Sequence, residues 1–217
     1  MNISTEITEA IKNEKFQEYI SDITEVYLDS FLDDGIIKDI PILGLLLKTK
    51  NIFGTIQEKL FTKKLYSFLK QLENTSAHKR ITQIEKIDND INYRTKVGEK
   101  ILYLLDSAED AEKSEYIGLI FKEFLQEVIS YDDFLRCVNC INKINIIDLK
   151  LFINNGYSRS ENISDAYLNA GLITFKFLKP EKDDRMVLRG DYKINFKTSE
   201  IGNLIIKLFK NKEFSYL

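Results

Sequence analysis

The chain has 217 residues, 44% of them hydrophobic and 30% charged, with nine Gly, two Pro and two Cys. A chain of that length buries a core without the help of a metal or a disulfide, and the composition excludes a disordered, fibrous or disulfide-stapled protein. Its 31 basic and 34 acidic residues leave a formal charge of −3, so no global positive excess draws it to nucleic acid.

The charges are laid out in blocks. Residues 1–35 hold two Lys against nine Asp or Glu, a net −7, and residues 48–80 hold eight basic against two acidic, a net +6. Residues 81–156 return to −5 and the remainder to +3. Blocks of alternating sign can pair inside one fold.

In the acidic N-terminal block, Ile7, Ile11, Tyr19, Ile20, Ile23, Val26, Tyr27 and Phe31 recur at three- and four-residue intervals. That spacing predicts one acidic amphipathic helix ending near Asp33-Asp34-Gly35, with the basic block after it as the nearest partner for its stripe. Residues 36–47 are the most apolar run, but they contain Lys38 and Asp39 and are interrupted by Pro41. A membrane-spanning helix needs about twenty predominantly apolar residues, so this run is too short.

Past Gly44, Leu45, Leu46, Ile52, Phe53, Ile56, Leu60, Phe61, Leu65, Phe68, Leu69 and Leu72 continue an apolar face through a lysine-rich stretch. Residues 45–72 therefore read as a basic amphipathic helix. Its default role is the central helix of a bundle, with lysines reaching solvent on their alkyl stems. If something uncovers it, Lys48, Lys50, Phe53, Lys59, Lys63 and Lys64 become the contact residues for a partner protein, a second copy of the chain, or an anionic membrane surface.

Thr75 or Ser76 can cap a long helix carrying Ile81, Ile84, Ile87, Ile91, Val97, Ile101, Leu102 and Leu105. Ser107 marks the start of the next, and Ser130 caps another over residues 131–143. Shorter helices follow over 146–154, stopped by Asn155-Gly156, and over 161–169, stopped by Gly171. Two β-like runs, 172–178 and 191–197, flank a charged loop with Pro180 and Gly190. Thr198 can then cap a last helix bearing Ile201, Leu204, Ile205, Leu208 and Phe209. Helix, helix, helix, hairpin, helix is the order of a winged helix. The expected fold is mainly α: a multi-helix bundle over residues 1–129, then a C-terminal winged-helix-like module over 130–217 with one β-hairpin.

Catalytic constellations are missing from the sequence. His78 is the single histidine, and no GxGxxG, GxxxxGK[ST] or GxSxG motif occurs. Cys137 and Cys140 form a CxxC without a second ligand pair, in a helical pattern, so they read as buried small apolar side chains. Free thiols and the lack of an apolar leader point to the cytoplasm, with the inner face of the membrane as a peripheral location. The acidic pairs Asp88/Asp90, Glu109/Asp110 and Asp132/Asp133 suit helix termini. The expectation is a non-enzymatic protein without metal or cofactor. DNA binding through the winged helix is the alternative, with Arg159, Lys182, Arg185 and Arg189 as contacts. The candidate recognition helix, SENISDAYLNA over 160–170, has two acidic residues and no basic one, so protein docking suits it better than phosphate.

Three stretches, LFTKKLYSFLKQL, KVGEKILYLLD and LNAGLIT…YKINFKTSEIGNLI, together with the Pro/Gly-interrupted apolar run before them, resemble bacterial proteins related to the Abi-alpha group. That group is associated with abortive infection and phage defence. The resemblance covers the chain from about Asp39 and implies a defence role, without a catalytic signature.

Overall fold

A computed structural model describes residues 3–21, 56–157, 164–178 and 193–210. The protein is mainly helical, with one two-stranded antiparallel hairpin near its C-terminus. Contacts divide it into two compact units, Met1–Val138 and Asn139–Leu217.

The first unit begins with α1 (Ile3–Lys12) and α2 (Phe16–Ser21). These are two helices where the spacing predicts one. The Lys15 N–H donates to Asn13 Oδ1 at 2.8 Å, a local side-chain turn that competes with the helical ladder and breaks it. The rest of the predicted acidic helix, and the apolar run 36–47, lie outside the described residues. Ile7, Ile11, Phe16 and Ile20 are buried. Among the described residues, α1 packs mainly on α4 (Ala77–Asp88) and α5 (Val97–Ser107) rather than on the described part of the basic helix. Gly98 makes that crossing close, because a Cβ there would meet the Ser4 carbonyl and the Thr8 hydroxyl.

The centre of this unit is the pairing of α3 (Ile56–Lys70) with α6 (Ala111–Leu125). At their crossing a Cβ on Gly118 would come within 2.5 Å of the Phe68 carbonyl. Phe121 anchors the core, with ring centroids 5.5 Å from Phe68, 5.6 Å from Phe124 and 5.2 Å from Phe134. Aromatic packing at such distances adds to the large apolar area these rings bury.

The helix expected along residues 75–105 is also divided, into α4 and α5. Ser76 caps α4, as the sequence suggests. Asp88 then accepts the Val97 N–H at 2.7 Å, and Asp90 accepts the Asn92 N–H at 2.9 Å. Both carboxylates hold the chain in a turn instead of letting the helix continue. Asp110, not Ser107, caps α6 by accepting the Lys113 N–H at 2.8 Å. Ser107 is the last residue of α5. Ser130 caps α7 (Tyr131–Lys143), accepting from the Asp133 N–H and donating to its carboxylate.

In the second unit the helices α8 (Ile146–Asn155) and α9 (Ser164–Ala170) precede β1 (Ile173–Leu178), β2 (Lys193–Thr198) and α10 (Glu200–Phe209). With α7 ahead of them this is the winged-helix-like order. Gly156 at φ 64° and Gly171 at φ 82° end α8 and α9 in the left-handed region, where glycine carries no Cβ penalty. The cap of α10 is Ser199, one residue beyond the predicted Thr198, which instead closes β2. Phe152, Tyr167, Leu172, Ile205 and Phe209 are buried and form the core of this unit.

Candidate functional site

The basic amphipathic reading can be tested on α3. Thr62, Leu65, Tyr66, Phe68 and Leu69 are buried, whereas Ile56 is 75% and Leu60 54% exposed. The later turns of the helix are thus packed, while Ile56 and Leu60 near its start are exposed. Ile56 and Leu60 are four residues apart and share one stripe, and Lys59 and Lys63 lie beside it at the same spacing.

Lys64 is different. Its ammonium donates to the Ala108 carbonyl at 2.5 Å and to the Asp106 carbonyl at 3.4 Å. Those are carbonyls at the C-terminal end of α5, which lack helical donors and carry the negative end of its dipole. Lys64 is a helix cap rather than an outward contact. Of the predicted contact residues, the structure brings Lys59, Lys63 and Lys64 onto α3 and assigns the third to the fold. Lys48, Lys50 and Phe53 lie outside the described residues.

The hairpin carries a second apolar surface. Its register pairs Phe175 with Phe196 and Phe177 with Ile194, so all four side chains lie on one face. Phe175, Phe177 and Ile194 are exposed. Phe175 is 5.4 Å from the Phe177 ring and 6.0 Å from Phe196, and Phe196 is 6.5 Å from Tyr157. Lys176 and Lys197 fall on the opposite face, with Thr174 and Asn195. The sequence signal is the period-two alternation in ITFKFL and KINFKT, which identifies the strands but not which face stays bare.

For the DNA reading, Arg159, Lys182, Arg185 and Arg189 lie outside the described residues. In α9 the sole charged residue is Asp165, which is exposed, and Tyr167 packs on Phe152 with ring centroids 5.0 Å apart. The described part of the predicted recognition helix presents no cation to a phosphate.

His78 is exposed in the first turn of α4. Tyr93 donates to Asp132 at 2.9 Å, which raises its phenol above the ordinary value. Burial pushes the Tyr131 phenol higher still, with Asp88, Tyr93 and Asp132 adding to the effect. Both phenols stay neutral in the physiological range. Cys137 and Cys140 form no disulfide and are buried on α7, as their helical setting predicts. Among the described residues no three His, Cys, Asp or Glu side chains gather as a metal site, and no helix is long and apolar enough to cross a membrane. Comparison with protein-family models, curated proteins and solved structures finds no match to this chain.

Proposed function

We propose that this protein acts by contact and not by catalysis. It is a cytoplasmic, non-enzymatic helical protein of the antiphage, abortive-infection type implied by the resemblance, and its working surface is the start of α3 with the basic segment leading into it. The partner is a protein. The observation that carries this reading is the exposed Ile56/Leu60 stripe beside Lys59 and Lys63, on a helix otherwise packed into the body. A small apolar stripe with a cationic rim fits an amphipathic helix with acidic flanks, which would desolvate the stripe and leave the charges at the edge. The exposed Phe175, Phe177 and Ile194 side chains on one face of the hairpin support the same class of function.

The test is a phage-challenge plating assay with the full chain and two double variants, Ile56→Ser/Leu60→Ser and Lys59→Glu/Lys63→Glu, with Lys64 left in place because it caps α5. Both variants are expected to unfold at the wild-type urea midpoint and to lose protection, while the wild-type protein stays unbound in flotation with phosphatidylglycerol-containing vesicles. Full protection by the serine variant refutes the surface. Salt-sensitive flotation that the glutamate variant abolishes moves the function to the membrane.

A further inference from the structure

Arg80 is fully buried. Its guanidinium donates to the Ile11 carbonyl at 2.6 Å, to the Asn13 carbonyl at 2.8 Å, and to the Thr75 carbonyl five residues back in its own chain. The carbon of the same group lies 4.6 Å from the centroid of the Phe16 ring. Among the described residues it has no ion-pair partner. A buried cation is stable only while its donors are satisfied, and here backbone carbonyls and one aromatic face do this alone. Two of the carbonyls belong to the end of α1 and the turn after it.

Other polar links converge on the same place. Gln17 donates to the Thr75 carbonyl at 3.1 Å, and Lys12 pairs with Glu85 at 3.1 Å. All of them join residues 11–17 to residues 75–85. The helices they tie down are 10 and 6 residues long, below the length at which an isolated helix holds in water. Away from the body, the two helices would have little beyond their mutual contact and the Asn13 turn to sustain them.

We propose that Arg80 is a latch that holds residues 3–21 against the first unit as a cooperative strap, and that this strap opens before the rest of the unit unfolds. Closing it buries Ile7, Ile11, Phe16 and Ile20; opening it rehydrates the guanidinium and bares the faces of α4 and α5 around Arg80 and Gly98. Because two of the three carbonyls and the Phe16 ring come from residues 3–21, while the Thr75 carbonyl stays beside α4, departure of that segment takes most of the cation's partners together, and this makes the opening cooperative. The pairing of α3 with α6, centred on Phe121, does not take part. The inference does not depend on the proposed contact function.

Native-state hydrogen exchange on the full-length protein, followed by mass spectrometry, tests it. In the wild type, peptides covering residues 3–21 and the first turn of α4 are expected to exchange together and ahead of α3 and α6. Arg80→Lys keeps the charge but not the three-way fork, so it should raise exchange of residues 3–21 by roughly tenfold or more while α3 and α6 keep their wild-type rates. The proposal falls if residues 3–21 exchange in step with α3 and α6, or if Arg80→Lys accelerates all three segments equally. If that variant does not fold, the wild type in sub-denaturing urea decides. A strap exchanges by an opening with weak urea dependence, distinct from the steep global one, and a single common urea dependence for all segments overturns it.

Discussion

The two compact units stop their helices in different ways. In the second, the signals at helix starts and ends are local. Asn145 caps α8 by accepting the Ile147 N–H at 2.8 Å, glycines in the left-handed region end α8 and α9, and Ser199 accepts the Gly202 N–H at 2.9 Å. In the first unit several ends are closed by long basic side chains from elsewhere in the chain: Lys64 at the end of α5, Arg80 at the end of α1, and Lys122 on the Glu73 carbonyl at 2.9 Å in the turn after α3. Each satisfies carbonyls that would otherwise lose water on burial. The difference gives part of the +6 block over residues 48–80 an internal role. Lys64 and Arg80 belong to that block, and both point at backbone rather than at a partner.

The largest effect that bears on this contrast should come from the core that brings the distant parts of the first unit together. Phe121→Ala removes the ring that meets Phe68, Phe124 and Phe134 and should cost about 3–5 kcal/mol, read as a drop in the urea midpoint. A cost under about 1 kcal/mol would mean that this site collapses around the cavity and that the long-range caps matter more than the aromatic cluster.

A smaller effect isolates the cap itself. Lys64→Met keeps the alkyl stem and removes the ammonium, leaving the Ala108 and Asp106 carbonyls without that donor. The expected loss is about 1–3 kcal/mol, with the last turn of α5 losing exchange protection first. An unchanged midpoint would place Lys64 back with Lys59 and Lys63 as a contact residue and break the contrast between the units.

The same contrast explains what could be read from the sequence. The order of the second unit was legible because its signals are short-range: Asn155-Gly156 and Gly171 stop helices, and ITFKFL and KINFKT alternate with period two. The differences at the element ends described there are shifts of one residue: α8 and α9 end one residue later, β1 starts and β2 ends one residue later, and Ser199 caps α10 in place of Thr198. In the first unit, spacing carried the predicted helices straight through Asn13 and through Asp88–Asn92. Apolar residues keep a helical beat on both sides of these turns, and a side chain folding back on its own backbone leaves no trace in that beat. The candidate surface was half legible. The apolar-basic stripe of α3 follows from periodicity, whereas the fate of Lys64 depends on a carbonyl 44 residues away. Exposure of the Phe175/Phe177 face is equally invisible, since a period-two strand reads the same whether its apolar side is covered or bare.

The smallest effect tests the local half of the contrast. Ser199 does two jobs at once: its hydroxyl accepts from Gly202 and donates to the Gly171 carbonyl at 2.7 Å. It thus joins the turn before β1 to the start of α10, where Gly202 already sits so close to the Leu172 carbonyl that a Cβ would not fit. Ser199→Ala should cost about 1 kcal/mol, with the Gly202 amide gaining exchange and amides of α3 and α6 unaffected, and Ser199→Thr should restore most of it. If the alanine variant instead loosened the whole C-terminal unit by several kcal/mol, the bridge to Gly171 would outweigh the cap. The second unit would then depend, like the first, on side chains that tie distant turns together.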